Sequence, residues 1–281
     1  MKQIGLAFNP TKPFAIQLRD RALNWCRLHG VQSWACESNA TAELIERLAT
    51  ADGLIVLGGD GTFLRAARAL AKVDVPVLGI NSGHVGFLSK VEPEALEQVL
   101  GDLAAGKYEI ESRMMLEAQI HRMGGHDQAA EDHLAALNDA AIVRGAEARV
   151  MHLDVAIGGS HLASYIADGV VVATPTGSTA YSFSAGGPIL DPTARNLVVT
   201  PVAAYLSSIR SIVVGPSQTV RVTLVDGTPG IVSIDGRDDY PIGIGDSVEI
   251  SALERPMRFI EPVGALPFWE LLRQKAALLP A

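Results

Sequence analysis

The sequence predicts an α/β chain in two parts, an N-terminal parallel-sheet domain followed by a C-terminal antiparallel β-rich domain. Two observations point there. The first hundred residues alternate short apolar runs with longer amphipathic ones, and the strand candidates among them are apolar throughout, as in a parallel sheet covered on both faces. After Gly106 the period changes: strand candidates follow one another, punctuated by glycines, prolines and Asx residues, as in an antiparallel sheet. A 281-residue chain with 48% hydrophobic and 19% charged residues can bury the cores that both parts need.

The elements follow in order. IGLAF (4–8) is the first strand, and the helix over 14–29 puts Phe14, Leu18, Ala22, Trp25 and Cys26 roughly on one face before Gly30 ends it. VQSWA (31–35) is a second strand and 41–48 a short helix striped by Leu44, Ile45 and Leu48. LIVL (54–57) is the third strand, and the helix over 62–70 starts where the Thr62 hydroxyl is placed to cap it. VPVLGI (75–80) and a helix over 93–100 complete the first part. Strands at 113–120, 135–143, 148–157, 161–167 and 169–174 open the second, a short helix over 178–184 follows, and NLVVTPV, SIVVGP, TVRVTLVD, GIVSID and DSVEIS supply more strands. A terminal helix over 267–276 offers Phe268, Trp269, Leu271 and Leu272 for packing. The expected division is 1–108, 109–265 and a C-terminal helix, 266–281, packed back on the N-terminal domain.

Composition narrows the function. A net charge of −8 argues against nonspecific binding to nucleic acid or anionic membranes, and no apolar run approaches a membrane span. Cys26 and Cys36, with no C-x-x-C, read as thiols in a reducing compartment. MKQIGLAFNP is interrupted too soon for a signal peptide, so the expected location is the cytoplasm. No G-x-S-x-G elbow, zinc-ligand spacing or nucleic-acid motif stands out; His84 has no Cys/His spacing around it that suits a metal, and His121, His126 and His133 read as solvated side chains of a polar loop region.

Three clusters carry chemistry. In the first, Gly58, Gly59, Asp60 and Gly61 fill the gap between a strand and a helix, at the carboxyl end of a parallel strand where open α/β sheets hold ligands. Glycines there let backbone N–H groups approach a phosphate. A carboxylate repels a phosphate unless a metal or hydroxyl lies between them, so Asp60 suits holding a metal on a polyphosphate or taking a proton from an attacking hydroxyl; the plainer reading makes it a cap for the helix at Thr62. The second cluster, INSGHVGFLS (80–89), puts Asn81, Gly83 and Gly86 at the next strand end. The third, DGVVVATPTGSTAYSFSAGGPIL (168–190), gathers Thr174, Thr176, Ser178, Thr179, Ser182 and Ser184 around Tyr181. Hydroxyls and amides at a helix start suit ribose and phosphate oxygens, Tyr181 is suited to stack on a base, and Asp168 to hold a ribose. Asn138-Asp139 inside an apolar run calls for a ligand or a polar network, because buried polar groups must be paired.

Taken together, these clusters resemble the NAD kinase family. The resemblance rests on Gly58-Gly59-Asp60-Gly61-Thr62, on Asn81-Ser82-Gly83 with Gly86-Phe87-Leu88, on Leu137-Asn138-Asp139, on Asp168-Gly169, and on the block from Thr174 to Pro188, with Ser233-Ile234-Asp235-Gly236 as a weaker element. It implies a Rossmann-like N-terminal domain, a β-rich C-terminal domain and a nucleotide in the crevice between them. It implies ATP-dependent phosphorylation of the adenosine ribose 2′-hydroxyl of NAD, with Asp60 orienting or deprotonating that hydroxyl. The implied nucleotide-binding set is Gly58, Gly59, Gly61, Thr62, Arg65, Asn81, Gly83, Phe87, Asn138, Asp139, Asp168, Thr176, Thr179, Ala180, Tyr181 and Ser184, with no protein metal ligand; Mg²⁺ or another divalent cation would accompany ATP and NAD. A cytoplasmic homodimer or homotetramer is also implied. GGDG alone is shared with diacylglycerol- and sphingosine-kinase-like enzymes, so a lipid kinase is one alternative and a noncatalytic nucleotide-binding regulator another. Two departures stand out: Asp139 replaces the family's usual Glu, one methylene shorter, and only Ser208 and Arg210 in 201–214 match a Pro-His-Ser-Leu-Ser-x-Arg-Pro pattern.

Overall fold

The computed structural model describes residues 1–81, 86–124, 133–145, 149–205 and 209–278. They divide into two compact units, one formed by the described residues of 1–112 and 257–278, the other by those of 113–256. Residues 257–265 were expected with the second domain. The structure puts 257–262 into the first unit's sheet, since Phe259 pairs with Val77.

The first unit begins with β1 (Gln3–Phe8), α1 (Pro13–Leu28), β2 (Gln32–Glu37), α2 (Thr41–Leu48), β3 (Gly53–Leu57), α3 (Asp60–Leu70) and β4 (Val77–Ile80). A 3₁₀ turn at Pro93–Ala95 leads into α4 (Leu96–Ala104), and β5 (Tyr108–Arg113) closes this run. β1 pairs in parallel with β2 and β3, and β3 with β4. The apolar strands predicted a two-sided sheet, and every residue of β3 is buried. Ile55, Leu57, Leu78 and Ile80 face a core shared with Leu18 and Ala22 of α1 and Leu96, Leu100 and Leu103 of α4.

The second unit contains β6 (Leu116–His121), β7 (Leu134–Ala136), β8 (Asp139–Arg144), β9 (Met151–Ile157), β10 (Ser160–Ala167) and β11 (Gly169–Ala173). A 3₁₀ turn at Thr176–Thr179 and the single helical turn α5 (Tyr181–Ser184) precede β12 (Leu197–Val202), β13 (Ile212–Val214), β14 (Val220–Gly227), β15 (Gly230–Ile234), β16 (Asp238–Ile242) and β17 (Ser247–Ala252). They form two six-stranded sheets, β10-β9-β14-β17-β6-β7 and β13-β12-β11-β8-β15-β16. Leu153, Val155, Val222 and Ile250 of the first meet Ile142, Val170, Val172 and Val232 of the second in one core. Period-2 alternation makes the other face of the second sheet from Asp139 and Ala141 of β8, Val171 and Ala173 of β11 and Ser233 of β15. The turns from Thr176 to Ser184 pack on that face, against β11 and β12.

The chain then returns to the first unit as β18 (Met257–Pro262) and α6 (Phe268–Leu278), giving the sheet order β2-β1-β3-β4-β18-β5. Phe259 of β18 stacks on Phe63 of α3 with ring centroids 5.1 Å apart.

Candidate functional site

Candidate residues form a cluster in each unit. In the first, β3 ends at Leu57, and Gly58 turns the chain with φ +154°, where a Cβ would lie 2.5 Å from the Thr62 hydroxyl oxygen. Gly59 caps α3 through its carbonyl, which accepts the Thr62 N–H at 2.8 Å, and no side chain caps the helix. The expected Thr62 hydroxyl cap is therefore absent: α3 starts two residues earlier, which puts Thr62 in its first turn with its side chain buried under Gly58.

Asp60 does not cap the helix either. Its carboxylate leaves α3 and accepts three successive backbone N–H groups, Phe87 on Oδ2 at 2.9 Å and Leu88 and Ser89 on Oδ1 at 3.1 and 3.2 Å. Gly86 makes room for this, since a Cβ there would sit 1.8 Å from Oδ1. Asn81 is buried at the end of β4, its N–H on the Val91 carbonyl at 2.8 Å. Gly61 is exposed and Arg65, one turn into α3, is half-buried. Phe87 is half-buried, its ring tilted against Phe268 of α6. Gly83, with Ser82 and His84, lies outside the described residues, as do His126 and Ser208.

In the second unit the predicted strand 135–143 is broken. β7 and β8 belong to different sheets, and Leu137 and Asn138 make the step between them. The cause is Asp235, whose carboxylate accepts the N–H groups of Leu137, Asn138 and Asp139 at 3.1, 2.7 and 3.2 Å. Asp235 itself has φ +52°, beside Gly236 at +65°. Thr174 ties its own segment to the same step: its N–H reaches the Asn138 carbonyl at 2.8 Å and its hydroxyl the Leu137 carbonyl at 2.5 Å. Gly177 lies against Asn138 so closely that a Cβ would be 2.0 Å from the Asn138 carbonyl oxygen.

Beside this step lies a half-open pocket of about 360 Å³ lined by Asn138, Asp139, Ala180, Tyr181, Ser233 and Asp235 among others. Asp139 is 4% exposed, and burial, then the neighbouring Asp235 charge, push its carboxyl up to about 7. The Tyr181 phenol is raised by burial first, then by Asp139 and Asp168, with Arg144 opposing. Asp168 is half-buried and takes the Arg144 Nε at 2.9 Å.

Much of the predicted hydroxyl cluster is spent on the fold. Ser178 donates to the Pro175 carbonyl at 2.6 Å and accepts the Leu190 N–H at 2.9 Å; Ser182 pairs with Thr200 at 3.1 Å; Thr179 donates to the Thr176 carbonyl at 3.3 Å. Thr176 Oγ1 is buried without a hydrogen-bond partner among the described residues. Tyr181 and Ser184 are exposed. Asp235 and Arg144 stand outside the candidate set. The Ser-Ile-Asp-Gly run was a readable signal for Asp235, whereas nothing local marked Arg144. Among the described residues no group of three or more His, Cys, Asp or Glu is placed to hold a metal ion, and no helix is long and apolar enough to cross a membrane.

Residues 5–108 match the family profile of the ATP-NAD kinase N-terminal domain and residues 137–262 that of the ATP-NAD kinase C-terminal domain. An NAD kinase of Symbiobacterium thermophilum is 42% identical over 98% of this chain and 99% of its own length, and one of Heliobacterium modesticaldum is 36% identical over 98% of each. Among solved structures, the fold is similar to that of yeast NADH kinase complexed with NADH, at a TM-score of 0.83 and 23% identity over 99% of this chain and 87% of that one. It is similar also to an NAD kinase from Archaeoglobus fulgidus in complex with ATP, with TM-score 0.77 and 25% identity over 99% of this chain and 100% of that one.

Proposed function

The chain belongs to the NAD kinase family, and from that premise we propose that it transfers the γ-phosphoryl group of ATP to the 2′-hydroxyl of the adenosine ribose of NAD, giving NADP and ADP. The observation that carries the site assignment is the Asp60 carboxylate, fixed by three backbone N–H groups at the start of α3. Held there, Asp60 orients the 2′-hydroxyl and accepts its proton as the oxygen–phosphorus bond forms and the bond to ADP breaks. Phosphoryl transfer has a loose transition state, so positioning contributes more than base strength. The glycines at 58, 59 and 61 keep side chains away from the phosphates, and the positive end of α3 favours their charge. The 87–89 N–H groups already serve Asp60 and have no part in that cradle.

Asn138, Asp139, Asp168, Thr176, Ala180 and Tyr181 are assigned to NAD. The cavity that Asn138, Asp139, Ala180 and Tyr181 line supports this, as does the unpaired Thr176 hydroxyl. A divalent cation would accompany the triphosphate and supply charge neutralisation there. A homo-oligomer in the cytoplasm completes the reading; the two free thiols fit a reducing compartment. Purified protein incubated with Mg²⁺, ATP and NAD, with NADP read by a strictly NADP-dependent dehydrogenase, tests it. Nucleotide binding without NADP would mean a noncatalytic regulator.

A further inference from the structure

The aromatic ring of Phe87 and its backbone N–H do different things. The N–H donates to Asp60 Oδ2 at 2.9 Å, while Oδ1 is shared by Leu88 and Ser89. The ring is met by α6: the Phe268 ring lies with its centroid 6.0 Å away at 46°, and the Lys275 Nζ stands 4.9 Å from the Phe87 centroid. Phe268 is braced in turn, edge-on to Trp269 at 4.9 Å. Leu271, 2% exposed, anchors the helix, and its N–H closes the first turn on the Pro267 carbonyl at 3.0 Å. The last helix of the chain is therefore joined to the Asp60 carboxylate through one residue. Gly86, directly before Phe87, has no side chain to brace the loop, and any Cβ would strike Asp60. The loop is held at its other end by the Gly86 N–H on the Ser89 carbonyl at 3.1 Å and by buried Leu88 and Ser89, which leaves the Phe87 side chain as the part that α6 packs against.

We propose that Phe268 and Lys275 are positioning residues for Asp60: by gripping the Phe87 ring they keep the 87–89 amides on the carboxylate and fix the direction in which it faces the attacking hydroxyl. The prediction is a loss of kcat larger than any change in KM, because the reacting group is misaligned while the residues assigned to NAD in the second unit are left in place. The proposal rests on the reading of Asp60 as the group that orients the 2′-hydroxyl.

The test compares wild type with Phe268→Ala, Phe268→Tyr, Lys275→Met and Lys275→Arg by steady-state kinetics, with hydrogen–deuterium exchange over residues 86–89 and over the whole chain. Phe268→Ala is expected to lower kcat roughly 10-fold with KM for ATP and NAD within about twofold, since small misplacements of a reacting group are costly. Lys275→Met is expected to lower it about 2–3-fold. The ring-keeping Phe268→Tyr and charge-keeping Lys275→Arg should restore wild-type kcat. Exchange at the Phe87–Ser89 amides should quicken in Phe268→Ala while the second unit is unchanged. In an Asp60→Asn background, Phe268→Ala should cost nothing further. Unchanged kcat, an equal loss in the Asp60→Asn background, a kcat loss without faster local exchange, or faster exchange throughout the chain would each overturn the proposal. A wild-type protein that makes no NADP overturns the reading of Asp60 instead, and the exchange comparison then still decides whether α6 holds the loop.

Discussion

Asp235 accepts the backbone N–H of Asn138 at 2.7 Å from a residue with φ +52°. The same carboxylate takes the N–H groups on either side, Leu137 and Asp139, so one side chain satisfies a step of backbone that joins two different sheets. Asp60 does the same for Phe87 to Ser89 in the first unit. Each unit thus builds its candidate site by spending one carboxylate on three consecutive amides. Buried N–H groups need partners, and an ionised acceptor gives the stronger bond.

Removing the Asp235 clamp should therefore damage binding as well as stability. Asp235→Ala leaves three amides without their acceptor and frees the Asn138–Asp139 step. We expect a fall in Tm of roughly 5–10 °C, consistent with ~2–3 kcal/mol for lost charged hydrogen bonds. KM for NAD should rise about 10-fold, a 1.4 kcal/mol loss, with kcat less affected. Asp235→Asn, which keeps an acceptor, should lose less Tm. Thermal melts and NAD titrations in the kinase assay read both.

Asp60→Asn keeps one oxygen for the amides and removes the charge. It should lower kcat by about 100-fold or more, the usual contribution of a positioned general base, with Tm within about 3 °C of wild type because the clamp partly survives. Turnover close to wild type would remove the proton-accepting role from Asp60.

The glycines can be tested at two positions where the reason is space alone. A Cβ on Gly86 would lie 1.8 Å from Asp60 Oδ1, and one on Gly177 would lie 2.0 Å from the Asn138 carbonyl oxygen. Gly86→Ala should therefore mimic Asp60→Asn, displacing the carboxylate and lowering kcat. Gly177→Ala should act on the other cluster and raise KM for NAD. The same kinetic effect from both substitutions would mean that the clusters do not divide the work.

These clusters also show what could be read from the sequence and what could not. The fold class followed from local pattern: the apolar strands β1, β3 and β4 and the alternating strands of the second unit carry their own period. β5 and β18 escaped because their pairing is not local. β5, Tyr-Glu-Ile-Glu-Ser-Arg, is largely exposed at a sheet edge, and β18 inserts between β4 and β5, which precede it in the sequence by the length of the whole second unit. The run AALNDAAIV reads as one strand because its residues are apolar; what breaks it is a carboxylate nearly a hundred residues later. Asp60 was conspicuous among its glycines, but its partners on the next loop were not. The hydroxyl block looked like ligand chemistry, and the structure spends much of it on turns. Motifs announce which residues matter, while the reach of a side chain decides what each one holds.

Asp139 gives the last prediction, a pH dependence with a definite sign. Its carboxyl is raised from 3.8 to about 7, by burial first and Asp235 second. Between those values the folded chain keeps a proton that the unfolded chain has lost. The stability contribution of this group is therefore full below about pH 3.8 and is lost progressively as pH rises to about 7. Asp139→Asn, which is never charged, removes that slope. The variant should gain Tm relative to wild type as pH rises from 5 to 8, by several degrees for a difference on the order of 2 kcal/mol. Asp235→Asn should shift the wild-type slope toward lower pH, because it deletes the second cause of the raised value while leaving the burial. Melting curves of the three proteins across that range decide it: parallel wild-type and Asp139→Asn profiles would mean that Asp139 is already charged in the folded protein, and the Asp139–Asp235 pair would then need another counter-charge.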